Sequence, residues 1–151
     1  MLDHFLQDHM TLLAGGVAVA IALIILLRWT GQRVVVPQAR AALKGDGSFD
    51  YDVAGTSAHQ PVLARIAGRS GSAGEERVAE LTPLPSQAGE STAIWVHVEG
   101  ARVGEIAARD VEAFHAVLVG RPARCDAVVI DDELAGGLVV KLDLIWPPRL
   151  R

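Results

Sequence analysis

The sequence predicts an α+β domain, a small β-barrel of about six strands with two helices, preceded by one transmembrane helix. Three observations predict it. The run Met10 to Leu27, MTLLAGGVAVAIALIILL, carries no charged side chain. Beyond Ser48 the pattern turns to short alternating runs divided by Gly and Pro, which is how brief strands read. Two stretches, Ser57 to Gly68 and Ala107 to Leu118, instead repeat apolar residues at helical spacing.

The apolar run covers about 27 Å as a helix, close to the roughly 30 Å hydrocarbon core, and a helix satisfies its own backbone polar groups. A signal-peptide core is normally shorter and follows basic residues; here Asp3, His4 and Asp8 precede the run and no small-residue cleavage site follows closely. The span is therefore expected over residues 10–28. Only Asp3 and Asp8 carry fixed side-chain charge before it, whereas Arg28, Arg33, Arg40 and Lys44 follow. Positive-inside bias puts residues 1–9 outside and the long C-terminal part in the cytoplasm, at the plasma membrane. The lipid bilayer is thus the first expected partner: the four cations each gain about 1 kcal/mol beside anionic headgroups, and Trp29 suits the interface. Ala14, Ala18 and Ala22 recur every fourth residue and offer one face for a homodimer. With no ionisable group inside it, the span reads as an anchor rather than a transport path.

Residues 29–48 read as a juxtamembrane linker, with Val34 to Val36 extended before Pro37 and Gln38 to Lys44 as a short helix ended by Gly45 and Gly47. The domain is expected over residues 49–146, with 147–151 as a C-terminal tail. Phe49 to Gly55 reads as a first strand. Ser57 then supplies an N-cap and Gln60 completes a capping box for a helix burying Val62, Leu63 and Ile66. Gly68 to Gly74 is a loop that lacks the Gly-Lys-Ser/Thr ending of a phosphate-binding loop and the terminal Gly of a nucleophile elbow.

Arg77 to Leu84 gives the next strand, and Ala93 to Ile106, AIWVHVEGARVGEI, gives a hairpin turning at Glu99 and Gly100. Alternation puts Ile94, Val96 and Val98 on one face and Trp95, His97 and Glu99 on the other. A second helix with Val111, Phe114, Val117 and Leu118 follows. Two last strands, Ala123 to Ile130 and Leu138 to Ile145, flank the turn DDELAGG.

Charge narrows the function. From Asp46 onward ten basic residues face sixteen acidic ones, minus six; the first forty-five residues carry plus two, for a net −4. That balance disfavours nonspecific nucleic-acid binding, which needs cations to displace phosphate counterions. Cys125 is the single cysteine, so no intrachain disulfide forms, as suits the cytoplasm; it reads as a small buried strand residue. His4, His9, His59, His97 and His115 show no zinc spacing, and Asp131 to Glu133 read as a solvated turn, so neither metal nor cofactor is expected.

The runs VAGTSAHQPVLARIAG and AIWVHVEGARVGEIAARDVEAFHAVL, with a strand pair ending VVKLDL, resemble the HIRAN domain family over nearly all of Tyr51 to Leu144. Gly55, Ser57, Gln60, Val103, Gly104 and Ile106 carry the resemblance most specifically. The resemblance implies a small β-barrel that recognises nucleic acid, in the best understood members the 3′ end of a single strand. It implies an aromatic and a basic residue after the first strand, an Asn-Tyr-Asp type loop before the hairpin, and a His and a Lys near the second helix. Here Ser57, Ala58 and His59 stand at the first place, SQAGEST at the second, and Glu105 and Ala108 at the third. A carboxylate in a phosphate-facing position is repulsive.

The candidate ligand-binding residues are accordingly Ser57, His59, Gln60, Trp95 and Arg102. His59 lies at a helix start that favours anions, with a cap-adjacent surface imidazole as the plainer reading. Trp95, His97 and Arg102 can make a stacking platform, or a half-buried sheet face under the second helix. No nucleophile, base and orienting group assemble from these motifs, so no enzyme is expected. The expectation is a membrane-anchored HIRAN-like binding module for single-stranded nucleic acid. The alternative is a protein-interaction or scaffold domain at the inner leaflet.

Overall fold

Alternating apolar positions build most of a curled sheet. A computed structural model describes residues 39–68, 74–85 and 92–151 of the chain. The strands are β1 (Ala41–Ala42), β2 (Tyr51–Asp52), β3 (Glu76–Pro83), β4 (Ile94–Val98), β5 (Ala101–Glu105), β6 (Ala123–Asp132) and β7 (Gly137–Asp143). A 3-10 turn, Thr56–His59, leads into α1 (Gln60–Gly68), and a second, Ala108–Asp110, leads into α2 (Val111–Leu118). The fold is mixed α+β, with the sheet order β2-β7-β6-β3-β4-β5 and β1 parallel to β6.

The curl brings the two ends of that order together. Ala54, just beyond β2, exchanges two 2.9 Å backbone hydrogen bonds with Glu105 of β5. Gly104 makes the approach possible: a methyl group there would run into the Ala54 carbonyl oxygen and the Val53 side chain. The expected barrel is thus a half-barrel whose edges meet at one bridge.

The interior is the apolar face that alternation predicts. Ile94, Val96 and Val98 of β4 are fully buried, with Leu81 of β3, Val140 and Leu142 of β7, Leu63 of α1 and Phe114 of α2. Burying side chains of this size contributes about 1.5–3 kcal/mol each. The β4–β5 turn has positive φ at both central residues, Glu99 (51°) and Gly100 (77°), as a two-residue hairpin of matching twist requires. The pairing then slips: Val96 faces Gly104 but His97 faces Arg102, leaving Val103 as an extra residue. This bulge turns Val103 and Gly104 both inward, and leaves Arg102 and Glu105 together on the outer face.

Several expectations are corrected. Gln38 to Lys44 was expected as a helix, but Ala41 and Ala42 pair with Ala123 and Arg124 of β6. Isolated alanines in an extended run carry no strand signal of their own; tertiary pairing decides. The ordered fold extends past both expected domain limits: Leu43 bridges Leu150, and the Arg151 amide donates to the Ala42 carbonyl. Buried Asp143 holds the turn between, accepting from the Asp46 and Gly47 amides at 3.0 and 2.8 Å. The compact unit runs Pro37–Arg151.

The capping box is not formed either. Gly55 occupies the cap position with φ 74°, no side chain caps the turn, and Ser57 is exposed. Gln60 instead reaches β7. Its Nε2 donates to the Leu138 and Thr56 carbonyls at 2.8 and 3.1 Å, and its Oε1 accepts from the Leu138 amide at 3.0 Å.

The expected span 10–28 and the Ala14, Ala18, Ala22 face lie outside the described residues, as do most of the two polar loops, 69–73 and 86–91. Among the described residues no helix is long and apolar enough to cross a membrane.

Candidate nucleic-acid interface

The outer face of β3, β4 and β5 is built by the residues that alternate with the core. Cross-strand register sets them in two rows. Thr82, Trp95 and Glu105 lie side by side in one; Arg124, Glu80, His97 and Arg102 form the next. The rows meet at an ion-aromatic contact. The Arg102 guanidinium carbon stands 4.3 Å from the centroid of the Trp95 ring, and Arg102 Nη2 lies 3.3 Å from Glu105 Oε2. His97 meets Trp95 edge-on, with ring centroids 6.3 Å apart. Trp95, His97 and Arg102, which the sequence groups on one hairpin face, thus lie together there, each half-buried.

Its polar atoms are incompletely satisfied. Glu80 Oε1, Thr82 Oγ1, His97 Nδ1 and Arg102 Nε are all shielded from solvent and have no hydrogen-bond partner. Most buried polar side-chain atoms in folded proteins have one, so four in adjacent positions set this face apart. Burial, with Arg102 adding to it, holds the His97 imidazole below its ordinary value, so it is neutral at pH 7. Burial also pushes the Glu80 carboxyl up, a backbone contact from Ala39 acting in the opposite direction.

The other expected residues lie elsewhere. Ser57 is exposed and His59 half-buried on the 3-10 turn ahead of α1, and Gln60 spends its amide on Leu138. Glu105, in the place where the resemblance implies a phosphate-facing histidine, pairs with Arg102. Cys125 is buried and its thiol is pushed up to about 12, mainly by burial, so it is inert. Asp132 folds its carboxylate back on the Leu134 and Ala135 amides at 2.9 and 3.3 Å, and the described residues hold no metal-binding cluster of His, Cys, Asp or Glu.

Two features escaped sequence reasoning. A cleft of about 740 Å³ opens between the end of β3 and the start of α2, lined by Pro83, Thr92, Arg109, Val111 and His115 among others; none of the expected site residues lines it. His115 Nε2 lies 3.0 Å from the Thr92 carbonyl oxygen across this cleft. A smaller pocket of about 240 Å³ lies at Asp50, Tyr51, Arg109, Asp110, Leu144 and Trp146. Its signal was the WPP end of the last strand, which reads only as a stop. The chain matches no family model, no curated protein and no solved structure.

Proposed function

We propose that this chain is a membrane-anchored, non-catalytic binding module of HIRAN type, with the barrel-like domain in the cytoplasm and single-stranded nucleic acid as its ligand. The observation that carries the reading is Arg102 over Trp95. An indole with a guanidinium on its face is a surface on which an unstacked base gains about 1–3 kcal/mol. Thr82 stands beside Trp95 in its row, and Glu80 and His97 stand beside Arg102 in the next. The platform holds a cation, two aromatic rings and carboxylates, with no nucleophile hydrogen-bonded to a base, which favours binding over turnover. The uncharged run from Met10 to Leu27 supports the anchor.

A second reading, a protein-interaction domain at the inner leaflet, is favoured by the acidic balance of the domain and by Val78, 58% exposed on the same outer face. Fluorescence anisotropy separates the two. Pro37–Arg151 is titrated with short single-stranded DNA bearing a free or a blocked 3′ end. Saturable binding that requires the free end supports the nucleic-acid reading; no binding at low salt transfers the function to a protein partner.

A further inference from the structure

We infer that the pocket between Tyr51 and Trp146 is a second binding site, one that accepts an arginine side chain from a basic protein segment. It is made of different residues from the Trp95 platform and stands independently of the nucleic-acid reading.

The pocket is built on rigid aromatics. The Tyr51 and Trp146 rings lie nearly parallel, 12° apart with centroids 6.5 Å from each other, and both rest on the buried Phe114 ring at 5.6 and 6.3 Å. The Tyr51 hydroxyl donates to Asp110 Oδ2 at 2.8 Å, which fixes the ring. Trp146 nevertheless remains 57% exposed, an unusual display for an indole backed by two other rings. The volume, about 240 Å³, is below the roughly 300–1,000 Å³ of small-molecule sites and suits one side chain.

Charge selects the side chain. Three charged residues line the pocket, Asp50, Asp110 and Arg109. Arg109 Nε is 3.5 Å from Asp110 Oδ2, so that pair is internally balanced. Asp50 is exposed and has no ion-pair partner among the described residues. The lining is left with one negative charge beside two π faces, the surroundings that a planar cation prefers. The chain already makes this combination elsewhere: Arg102 lies over Trp95 and pairs with Glu105. At Trp146 the indole and the Asp50 carboxylate are present, the one guanidinium in the lining, Arg109, is paired with Asp110, and a second is left to be supplied by a partner. The acidic excess of the domain draws basic segments toward it.

The test uses the full chain in detergent micelles, with the Trp146 indole N–H followed by NMR and assigned with Trp146→Phe. The probes are a blocked Gly-Gly-Arg-Gly-Gly peptide, the same peptide with neutral citrulline, and deoxyadenosine monophosphate, each titrated into the millimolar range. The arginine peptide is expected to shift the Trp146 resonance saturably and the citrulline peptide to leave it in place. Asp50→Asn, an exposed substitution, is expected to weaken binding about threefold, the scale of one solvent-exposed ion pair. Arg109→Ala is expected to leave binding as tight or tighter, because it removes the one cation on the rim. Equal response to citrulline, no response to arginine, or indifference to Asp50→Asn would overturn the assignment. Nucleotide binding lost on Arg109→Ala would overturn it in favour of an anion site.

Discussion

The Arg102 guanidinium lies 4.3 Å above the centre of the Trp95 ring while its Nη2 atom reaches Glu105 at 3.3 Å. Only the Val103 bulge allows both partners, because regular alternation would send residues 102 and 105 to opposite faces. Arg102→Ala is therefore expected to lower stability by about 0.5–1 kcal/mol, read by denaturant melts, and on the proposed reading to weaken single-strand binding about tenfold or more. Arg102→Lys should restore part of the charge effect and little of the stacking, since an ammonium has no planar face.

Gly104 tests how the sheet closes. A methyl group at this position meets the Ala54 carbonyl oxygen and Val53, so Gly104→Ala must open the Ala54–Glu105 bridge or shift β2. The expected cost is about 1–3 kcal/mol in thermal or urea unfolding. Hydrogen exchange at the Ala54 and Glu105 amides, which donate the two closing bonds, should accelerate together.

Gln60 distinguishes a structural amide from a ligand contact. Gln60→Ala abandons both polar groups of Leu138 and is expected to cost about 1–3 kcal/mol. Gln60→Glu keeps the acceptor for the Leu138 amide but turns a carboxylate on the Leu138 and Thr56 carbonyls. Its melting temperature should lie below that of the wild type at neutral pH and recover on acidification, when a protonated Glu can donate again.

Val119 ends α2 with φ 48°, a left-handed conformation that a β-branched residue adopts at a cost of about 1–2 kcal/mol. Its side chain is 68% exposed, so nothing in the core needs it. Val119→Asn is expected to raise stability by about 0.5–1 kcal/mol, measured as an upward shift in Tm.

Two groups on the platform give the stability curve opposite slopes. The folded His97 pKa is below its unfolded value, so the unfolded chain takes up the proton first and stability falls as pH drops below about 6.5. Glu80 is raised, so its favourable contribution is complete below the unfolded value and is lost as pH rises through the folded one. Glu80→Gln is expected to raise Tm at neutral pH, with the advantage fading toward pH 4; His97→Gln should flatten the acid-side decline.

The fold was legible where local pattern and tertiary packing agree. Ile94, Val96 and Val98 alternate in the sequence and are buried together, and Phe114 and Leu118 lie on the predicted helix face. Pattern failed where long-range pairing decides. Ala41 and Ala42 have helical propensity, yet β6 recruits them as a strand. Ser57 and Gln60 spell a capping box, but the backbone enters α1 through a 3-10 turn and Gln60 finds a better partner 78 positions away. Trp95, His97 and Arg102 were readable because a two-residue turn fixes hairpin register. That Glu105 joins them depends on a bulge, which has no short-range signal here. The Trp146 pocket needed Tyr51 and Asp50, almost a hundred residues distant in sequence.

The most direct measurement is the affinity of Pro37–Arg151 for a 3′-free single-stranded oligonucleotide, by anisotropy at two salt concentrations, across the wild type, Trp95→Ala, Arg102→Ala and Asp126→Asn. Asp126 lies in β6, outside the two platform rows. The nucleic-acid reading predicts saturable binding, weakened about tenfold or more by either platform variant, as loss of one base stack requires, and retained by Asp126→Asn. Equal affinity in all four proteins, or none in the wild type at low salt, would contradict it.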